Sequence, residues 1–436
     1  MHKIKIKNFG PISNVEMEIS DIVFLLGEQA SGKSTIAKLI YFFRTVQEEF
    51  ISFIYINEFE DWQFSWETFI KRLWKRFVDI FGPTQDLGEY EIQYAFFPDR
   101  HIKIMPNLLM QADIHFSEGL TWELRDIWKE VKEIRQISKS DAQDKYTSII
   151  KEIITEDAAN KGILKRLKKA FDDDANSIFI PAGRALLSRQ FLLQLIQGDE
   201  MRRQNRNDFF SPFEAIDAPT RNYIAEVGRI RKSAVHGNAS DTFLGFFEDT
   251  SKRILKGKYT YANNNDYIRI DDQKLVPLSY SSSGQQEVVW LLNLLFAYAV
   301  LEQRCFIVVE EPEAHLHPDA QYLLAKYIAA FRNKTNSQIF ITTHSPYILT
   351  SFNNLFYADK CGKESNNSEA AHGIIPKESW LRTEDFSAYM LDSGTLKNIK
   401  DEELAMVDIA ELDAVASTQD SEYEKLLNIS RRGVTD

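Results

Sequence analysis

The sequence predicts an α/β fold with a mixed central sheet, an antiparallel β lobe and a helical insertion. Three apolar runs have the composition of strands buried on both faces: residues 22–26, 305–309 and 338–342. Each run is followed at once by polar or glycine residues and then by a helical pattern. Alternating apolar residues between positions 91 and 116 predict shorter antiparallel strands. Because ligands of open α/β sheets lie at the carboxyl ends of strands, the polar residues after the three runs are candidates for one site.

Composition limits the possible functions. The chain has 436 residues, enough for about two or three domains with a large core. Its 52 basic and 64 acidic residues give a formal net charge of −12, which argues against a protein that coats nucleic acid with its whole surface. Only Cys305 and Cys361 occur, so no disulfide framework and no cysteine-based zinc site is expected. No apolar run approaches the length of a membrane span, so we expect a cytoplasmic protein without a membrane partner.

A phosphate-binding loop is predicted after the first of these runs. Residues 27–34 read Gly-Glu-Gln-Ala-Ser-Gly-Lys-Ser, between a predicted strand and a predicted helix. The glycines let backbone N–H groups surround a phosphate, Lys33 can reach the β- and γ-phosphates, and Ser34 can offer its hydroxyl to Mg²⁺. The residues expected to bind nucleotide are Gly27, Glu28, Gln29, Ala30, Ser31, Gly32, Lys33, Ser34 and Thr35.

Two adjacent carboxylates end the second run. Glu310 and Glu311 must point to opposite sides if both extend a strand, so they can perform two tasks. We expect Glu310 to hold Mg²⁺ and Glu311 to orient or deprotonate a water molecule. A strand end with two solvated acids is the alternative.

Two further segments are candidates for the same site. Residues 282–285 form a serine-glycine turn before a strongly apolar helix, a second anion-binding arrangement. An ordinary serine cap is the alternative. His344 follows the third run by two residues and can donate a hydrogen bond to a phosphate oxygen or to the attacking water, although a lone histidine there is more often structural. The predicted ligands in the turn are Ser282, Ser283, Gly284 and Gln285.

Basic runs outside these motifs leave DNA binding open. They comprise Lys161, Lys165, Arg166, Lys168, Lys169, Arg202, Arg203, Arg206, Arg229, Arg231 and Lys232. A solvated helix face is the more common reason for such a run, and contact with the phosphate backbone of DNA is the alternative. Arg184, at the end of another predicted strand, is assigned either to phosphate or partner-subunit contact or to an internal ion pair. The acidic tail, residues 401–424, is expected to be helical and solvated, or to dock a partner.

The order of these motifs resembles a known family. Residues 27–34, 282–285, 308–311 and His344 follow the order of Walker A, signature, Walker B and switch histidine in ABC-type P-loop ATPases, on the soluble SMC/RecF-like side. Residues 310–318, Glu-Glu-Pro-Glu-Ala-His-Leu-His-Pro, resemble the box of the OLD-like branch, found in ATPase subunits of anti-phage systems such as PARIS and Septu. Ser283 replaces a signature glycine, Glu310 replaces a common aspartate, and Gln93 is a weak candidate for the Q-loop glutamine. The TOPRIM pattern of OLD nucleases is missing after His344.

The resemblance implies a domain arrangement. Residues 1–45 and 175–360 would form the two halves of the ATPase core, with a helical insert near 190–255. Residues 46–174 would form the β lobe and helical insertion, and 361–436 a C-terminal acidic helical region.

It also implies a mechanism. ATP and Mg²⁺ would lie between Lys33 and Ser34 of one subunit and the serine turn of another, in a homodimer or higher even oligomer. Catalysis would use Glu311 and His344. The expected function is a nucleotide-dependent switch in anti-phage defence that senses phage DNA or protein and controls a separate nuclease or toxin. A RecF/SMC-like DNA-maintenance ATPase is the alternative; a scaffold that hardly hydrolyses ATP and a transporter ATPase are weaker ones.

Overall fold

A computed structural model describes most of the chain. The described residues are 2–56, 61–139, 162–173, 175–185, 216–232, 242–263, 265–364, 368–401, 403–404, 406–408, 421–423 and 425. Lys161, Arg202, Arg203 and Arg206 of the basic runs, most of the acidic tail and much of the predicted 190–255 insert lie outside them.

Ten α-helices and sixteen strands occur in the described residues. The helices are α1 Lys33–Ile56, α2 Trp62–Phe81, α3 Glu118–Lys139, α4 Ile163–Phe171, α5 Ala218–Lys232, α6 Thr242–Leu255, α7 Ser283–Val300, α8 Pro318–Thr335, α9 Pro346–Glu364 and α10 Ser368–Ile374. The first nine strands are β1 His2–Phe9, β2 Ile12–Ile19, β3 Ile22–Gly27, β4 Glu91–Phe97, β5 Arg100–Pro106, β6 Ala112–Phe116, β7 Asn176–Ile180, β8 Lys258–Ala262 and β9 Asn265–Arg269. The others are β10 Leu275–Pro277, β11 Cys305–Glu310, β12 Gln338–Thr343, β13 Phe386–Asp392, β14 Thr395–Asn398, β15 Lys400–Asp401 and β16 Met406–Val407.

Eleven of these strands form one sheet, in the order β6-β5-β4-β1-β2-β14-β13-β3-β12-β11-β7. The five strands from β13 to β7 are parallel. At the other end, β1, β2, β4, β5 and β6 pair antiparallel. The two parts meet through a short parallel contact between β14 and β2, at Thr395 and Asn14. The predicted α/β class, with a mixed sheet and an antiparallel β part, is confirmed.

The sheet carries one hydrophobic core on each face. Successive side chains of β3 point to opposite faces, so Phe24 joins the core that contains α7, α8 and α9, while Leu25 joins the core that contains α1 and α2. Phe69 and Phe77 of α2 are fully buried in this second core. The helical spacing of these two aromatic side chains therefore reflects packing.

The C-terminal segment is not simply a helical region, and this corrects the sequence interpretation of 361–436. Strand β13 pairs parallel with β3, the strand that leads into the phosphate loop, and β14 turns back beside it. Phe386, Ala388 and Met390 are buried, so this segment has the period-two pattern of a strand. The sequence interpretation gave more weight to the acidic residues nearby and missed the pattern. A segment more than 350 residues away in sequence therefore completes the central sheet beside the phosphate loop.

Candidate active site

The phosphate loop adopts a conformation that needs its two glycines. Gly27 has φ 148° and Gly32 has φ 109°, values that L side chains rarely adopt. A Cβ on Gly27 would lie 2.4 Å from the carbonyl oxygen of Leu391, and one on Gly32 would lie 2.9 Å from Cγ of Pro11. The first contact comes from β13 and the second from the β1–β2 turn. Both flanking segments therefore hold the loop in shape, and neither can retreat without moving the sheet.

Lys33 begins α1 and is buried at the base of this loop. Its Nζ donates to the carbonyl oxygens of Gly27, at 2.8 Å, and Glu28, at 2.7 Å. Burial lowers the pKa of Lys33, and the nearby carboxylates of Glu311 and Glu313 oppose that effect. A cationic amine is thus held where the loop's backbone closes, and it can exchange these carbonyl contacts for phosphate oxygens. Glu28, Gln29 and Ala30 form the exposed crest of the loop.

Ser34 and Glu310 fit a divalent cation. Glu310 is the last residue of β11 and is buried; its Oε1 has no hydrogen-bond partner among the described residues. Its Oε2 accepts a long hydrogen bond, 3.4 Å, from the backbone N–H of Ala182. Burial raises the pKa of Glu310, and a hydrogen bond from the Ser34 side chain opposes this. A buried, under-satisfied carboxylate next to a hydroxyl is the hard-oxygen donor set that Mg²⁺ prefers, so these two residues fit the ion.

Glu311 and His344 form a contact pair in front of this site. His344 Nε2 lies 3.3 Å from Glu311 Oε1, and both side chains are partly exposed. The hydrogen bond to His344 is the main cause of the lowered pKa of Glu311. Glu311 itself has left-handed backbone, φ 43°, and its N–H donates to the carbonyl of Thr342 at 2.9 Å. A non-glycine residue in this region is uncommon, and such strain concentrates at functional sites.

Strand order explains how these residues meet. Strand β12 lies between β3 and β11, and the three strands are parallel. Their carboxyl ends therefore present Lys33, His344 and Glu310–Glu311 along one edge. This is the edge where the sequence placed them, although Lys33 and His344 are more than 300 residues apart.

The serine turn has a different exposure and lies on a different face. Ser282 is the N-cap of α7 and forms a capping box with Gln285; Ser282 and Ser283 are both exposed. Helix α7 packs in the core shared with α8 and α9, whereas α1, which follows the phosphate loop, packs in the core on the other face. Ser282 and Ser283, at the N-terminal end of α7, are thus exposed to solvent.

Gly284 and Gln285 serve the subunit that carries them. A Cβ on Gly284 would lie 2.6 Å from the carbonyl oxygen of His315, so the turn is seated against the loop of residues 311–317. The side chain of Gln285 donates to the carbonyl of Leu255 at 2.6 Å and accepts from the N–H of Ser282 at 3.0 Å. In this conformation both polar atoms of the Gln285 side chain form hydrogen bonds within the subunit, so neither is free for a ligand. This differs from the ligand role that the sequence predicted for Gln285.

Arg184 has an internal structural role. Its side chain is buried and donates to the carbonyl oxygens of Pro181, Glu310 and Glu311, at 2.9, 2.8 and 3.0 Å. Its Nε also lies 3.6 Å from Oε2 of the buried Glu287. The guanidinium therefore fixes the backbone of Glu310 and Glu311. Of the roles considered for it, the structure shows the internal ion pair.

Gln93, the weak candidate for the Q-loop glutamine, lies in β4. It pairs with Lys5 and Lys103 in the antiparallel part, so the structure does not bring it to this edge.

Sequence reasoning missed two residues that contact the site. The backbone N–H of Ala182, after β7, faces Glu310. Glu313 was also overlooked: it accepts hydrogen bonds from Thr343 and His344. Glu313 lies in the carboxylate-rich segment 310–318, which could have marked it as a candidate, but the residues that it contacts lie at the end of a distant strand.

Three of the described basic residues pair with acids of the same chain. Arg166 contacts the carboxylates of Glu123, Asp126 and Glu130. Arg229 pairs with Glu226, and Arg231 pairs with the buried Asp266. For these three arginines the contacts favour the structural explanation. Within the part of the chain that the structure describes, no helix is both long and apolar enough for a membrane crossing.

Comparison with known proteins gives three limited likenesses and one family. Protein ea59 of Escherichia phage lambda is 29% identical over 105 residues, which span 22% of this chain and 20% of that protein, so only about a fifth of that relative is covered. An SMC head bound to the C-terminal winged-helix domain of ScpA is 11% identical with a TM-score of 0.40, covering 91% of this chain and 96% of that one. The SMC head domain from Thermotoga maritima is 12% identical with a TM-score of 0.36, covering 92% and 98%.

The family assignment comes from a sequence match. The model of the AAA ATPase domain matches residues 1–180 and 123–349, a span that includes every candidate residue described above. The chain belongs to the AAA ATPase domain family.

Proposed function

We propose that this chain hydrolyses ATP at a site shared by two copies, and that the nucleotide state switches their association. The observation that carries the proposal is the split of the site. Lys33, Ser34, Glu310, Glu311 and His344 occupy one sheet edge, whereas the exposed Ser282 and Ser283 cap a helix packed on the opposite face. A second copy can bring its serine turn to the phosphates held by the first.

The chemistry of such a site follows from its described groups. Bound Mg²⁺, held by Ser34 and Glu310, would neutralise developing charge on the phosphates. Glu311 accepts a proton from the attacking water or orients it, with His344 beside it as hydrogen-bond donor. Lys33 offsets phosphate charge at the base of the loop. The helix N-terminus and hydroxyls of the partner's turn add donors toward the γ-phosphate, so the cage is complete only across two subunits.

Complementation between two defective subunits tests the shared site. Lys33→Ala removes the phosphate contact, and Ser283→Arg fills the turn with a bulky side chain. Each variant alone should fail to dimerise with ATP. When the two variants are coexpressed with different tags, a mixed dimer should contain one intact site. That site combines the phosphate loop of the Ser283→Arg subunit with the serine turn of the Lys33→Ala subunit. ATP-dependent heterodimers, measured by sedimentation, are the expected result. A site built within one subunit predicts no recovery on mixing, and that outcome would end the proposal.

At the finer level, we propose that the switch acts in anti-phage defence by controlling a separate nuclease or toxin. One feature supports this: residues 310–318 resemble the box of OLD-like ATPases. The formal net charge of −12 suits control of a partner better than direct coating of DNA.

Phage challenge tests the biological role. Cells carrying this gene with its neighbouring gene should reduce plaque number, and the Lys33→Ala and Glu311→Gln variants should lose that protection. Omitting the neighbouring gene should also abolish it. Protection that persists in both variants would show that ATP turnover does not govern the response.

A further inference from the structure

Glu313 makes two contacts that no role assigned so far explains. Its Oε1 accepts the hydroxyl of Thr343 at 2.5 Å and the backbone N–H of His344 at 2.9 Å. The two donors belong to Thr343, the last residue of β12, and to His344, which follows it. One carboxylate oxygen from the β11 loop therefore holds the backbone of His344, whose ring contacts Glu311.

The remaining oxygen of Glu313 shows that this arrangement is not optimised for stability. Its Oε2 is buried and has no hydrogen-bond partner among the described residues. An unsatisfied buried carboxylate oxygen carries a desolvation cost that an amide or apolar side chain would reduce. Polar groups kept at such a cost are candidates for functional positioning.

A second set of hydrogen bonds holds the following residue, Ser345. The hydroxyl of Ser345 donates to Gln321 Oε1 at 2.6 Å, and Gln321 Nε2 donates to the carbonyl of Leu316 at 2.9 Å. Ser345 N–H also donates to the Thr343 hydroxyl at 3.0 Å. The polypeptide on both sides of His344 is thus anchored to the same loop that follows Glu311. His344 is held between two strand ends, and its distance from Glu311 depends on these anchors.

We propose that Glu313 is a positioning residue that sets the Glu311–His344 contact and acts on turnover only through His344. This deepens the proposed ATPase function and rests on it. Loss of Glu313 should let the histidine backbone shift relative to Glu311. A displacement of about 1 Å in a catalytic group can lower a rate by about 100-fold.

The experiment compares Glu313→Ala with Glu313→Gln in the full chain. Glutamine keeps the size and one acceptor oxygen, so its turnover should stay within about threefold of the parent protein. Alanine removes both hydrogen bonds and should lower kcat by about 10- to 100-fold, with KM for ATP changed by less than about threefold. Glu302→Ala is the matched surface control, because Glu302 is exposed and pairs only with Lys334 at 2.8 Å. Thermal unfolding of each variant checks that the fold persists.

A double-mutant cycle separates positioning from general disturbance. If Glu313 acts through His344, then His344→Ala and the double variant His344→Ala/Glu313→Ala should turn over ATP equally. Additive losses, equal losses for alanine and glutamine, or an unchanged kcat in Glu313→Ala would overturn the proposal. The Glu311→Gln variant distinguishes failure of the proposed ATPase function from failure of the positioning role alone. If Glu311→Gln hydrolyses ATP at the parent rate, the proposed function fails. If it is inactive while Glu313→Ala is normal, only the positioning role fails.

Discussion

Oε1 of Glu311 and Nε2 of His344 lie 3.3 Å apart, although the two residues end different strands of the parallel sheet. The contact joins the residue best placed to activate water with a donor that can stabilise its charged form. It also accounts for the lowered pKa of Glu311, since the hydrogen bond favours the carboxylate. The first prediction below concerns this pair, and three others concern Gly284, Arg184 and His2.

Replacing Glu311 with glutamine should abolish turnover while nucleotide binding remains. The substitution keeps the size of the side chain but removes the proton acceptor, and a general base contributes about 10²- to 10⁴-fold to rate. We expect kcat to fall by at least about 100-fold, with ATP affinity within about threefold of the parent. Phosphate release and equilibrium binding measure the two quantities. If Glu311→Gln lost binding as strongly as turnover, a catalytic role would be ruled out.

Adding a methyl group at Gly284 should disturb the serine turn. The new Cβ would lie 2.6 Å from the backbone oxygen of His315, and overpacking of this kind costs about 1–3 kcal/mol. Gly284→Ala should therefore lower the free energy of unfolding and weaken ATP-dependent dimerisation. Gly245→Ala is the control, because that glycine lies in α6 with no atom within 4 Å of an added Cβ. The control should be neutral or stabilise by up to about 1 kcal/mol; equal behaviour of both variants would refute the packing argument.

Truncating Arg184 should destabilise the fold more than a surface arginine would. Its removal leaves Glu287 buried, with a side chain only 3% exposed, and frees four carbonyl groups. Breaking a buried pair by removing one partner costs about 3–5 kcal/mol. Urea unfolding of Arg184→Leu should show this loss, whereas the exposed Arg253→Leu should change little. The double variant Arg184→Met/Glu287→Met should recover part of the loss, since it leaves no lone buried charge. No recovery would mean that the carbonyl contacts, and not the charge pair, dominate.

His2 should make stability depend on pH. Burial, with a contribution from the Arg44 guanidinium, holds the pKa of His2 well below 6.5 in the folded protein. The unfolded chain therefore binds more protons below about pH 6.5, and stability present above that pH is lost as the pH falls toward the folded value. Melting temperatures between pH 8 and pH 5 should fall less steeply in His2→Gln than in the parent. His115→Gln, at an exposed position, is the control. Parallel pH profiles for parent and His2→Gln would contradict this assignment.

The local motifs could be interpreted without tertiary structure because each is contiguous. A strand, a glycine loop and a helix N-terminus lie together in residues 22–35, so their geometry follows from neighbouring residues. The buried strand before Glu310 was equally clear from its apolar run. The antiparallel strands near 91–116 followed from alternation. These patterns also fixed the α/β class.

Other features depended on which distant segments become neighbours. Strand β13 follows an acidic, irregular region, and only its pairing with β3 shows that it belongs to the central sheet. Gln285 was assigned to a ligand because its capping partners were not visible as contacts in the sequence. Arg184 had two equally reasonable roles until its carbonyl partners were known.

By itself, the sequence determined the chemistry that is available: a phosphate loop, two carboxylates, a histidine and a serine turn, each specified by local backbone and side-chain preferences. Only the tertiary structure decided that Glu311 meets His344, that Glu313 tethers it, and that α7, which begins at the serine turn, packs on the face opposite α1. The physical reason is that strand order and side-chain contacts between remote segments arise from the burial of a whole sheet, to which no short pattern of residues corresponds.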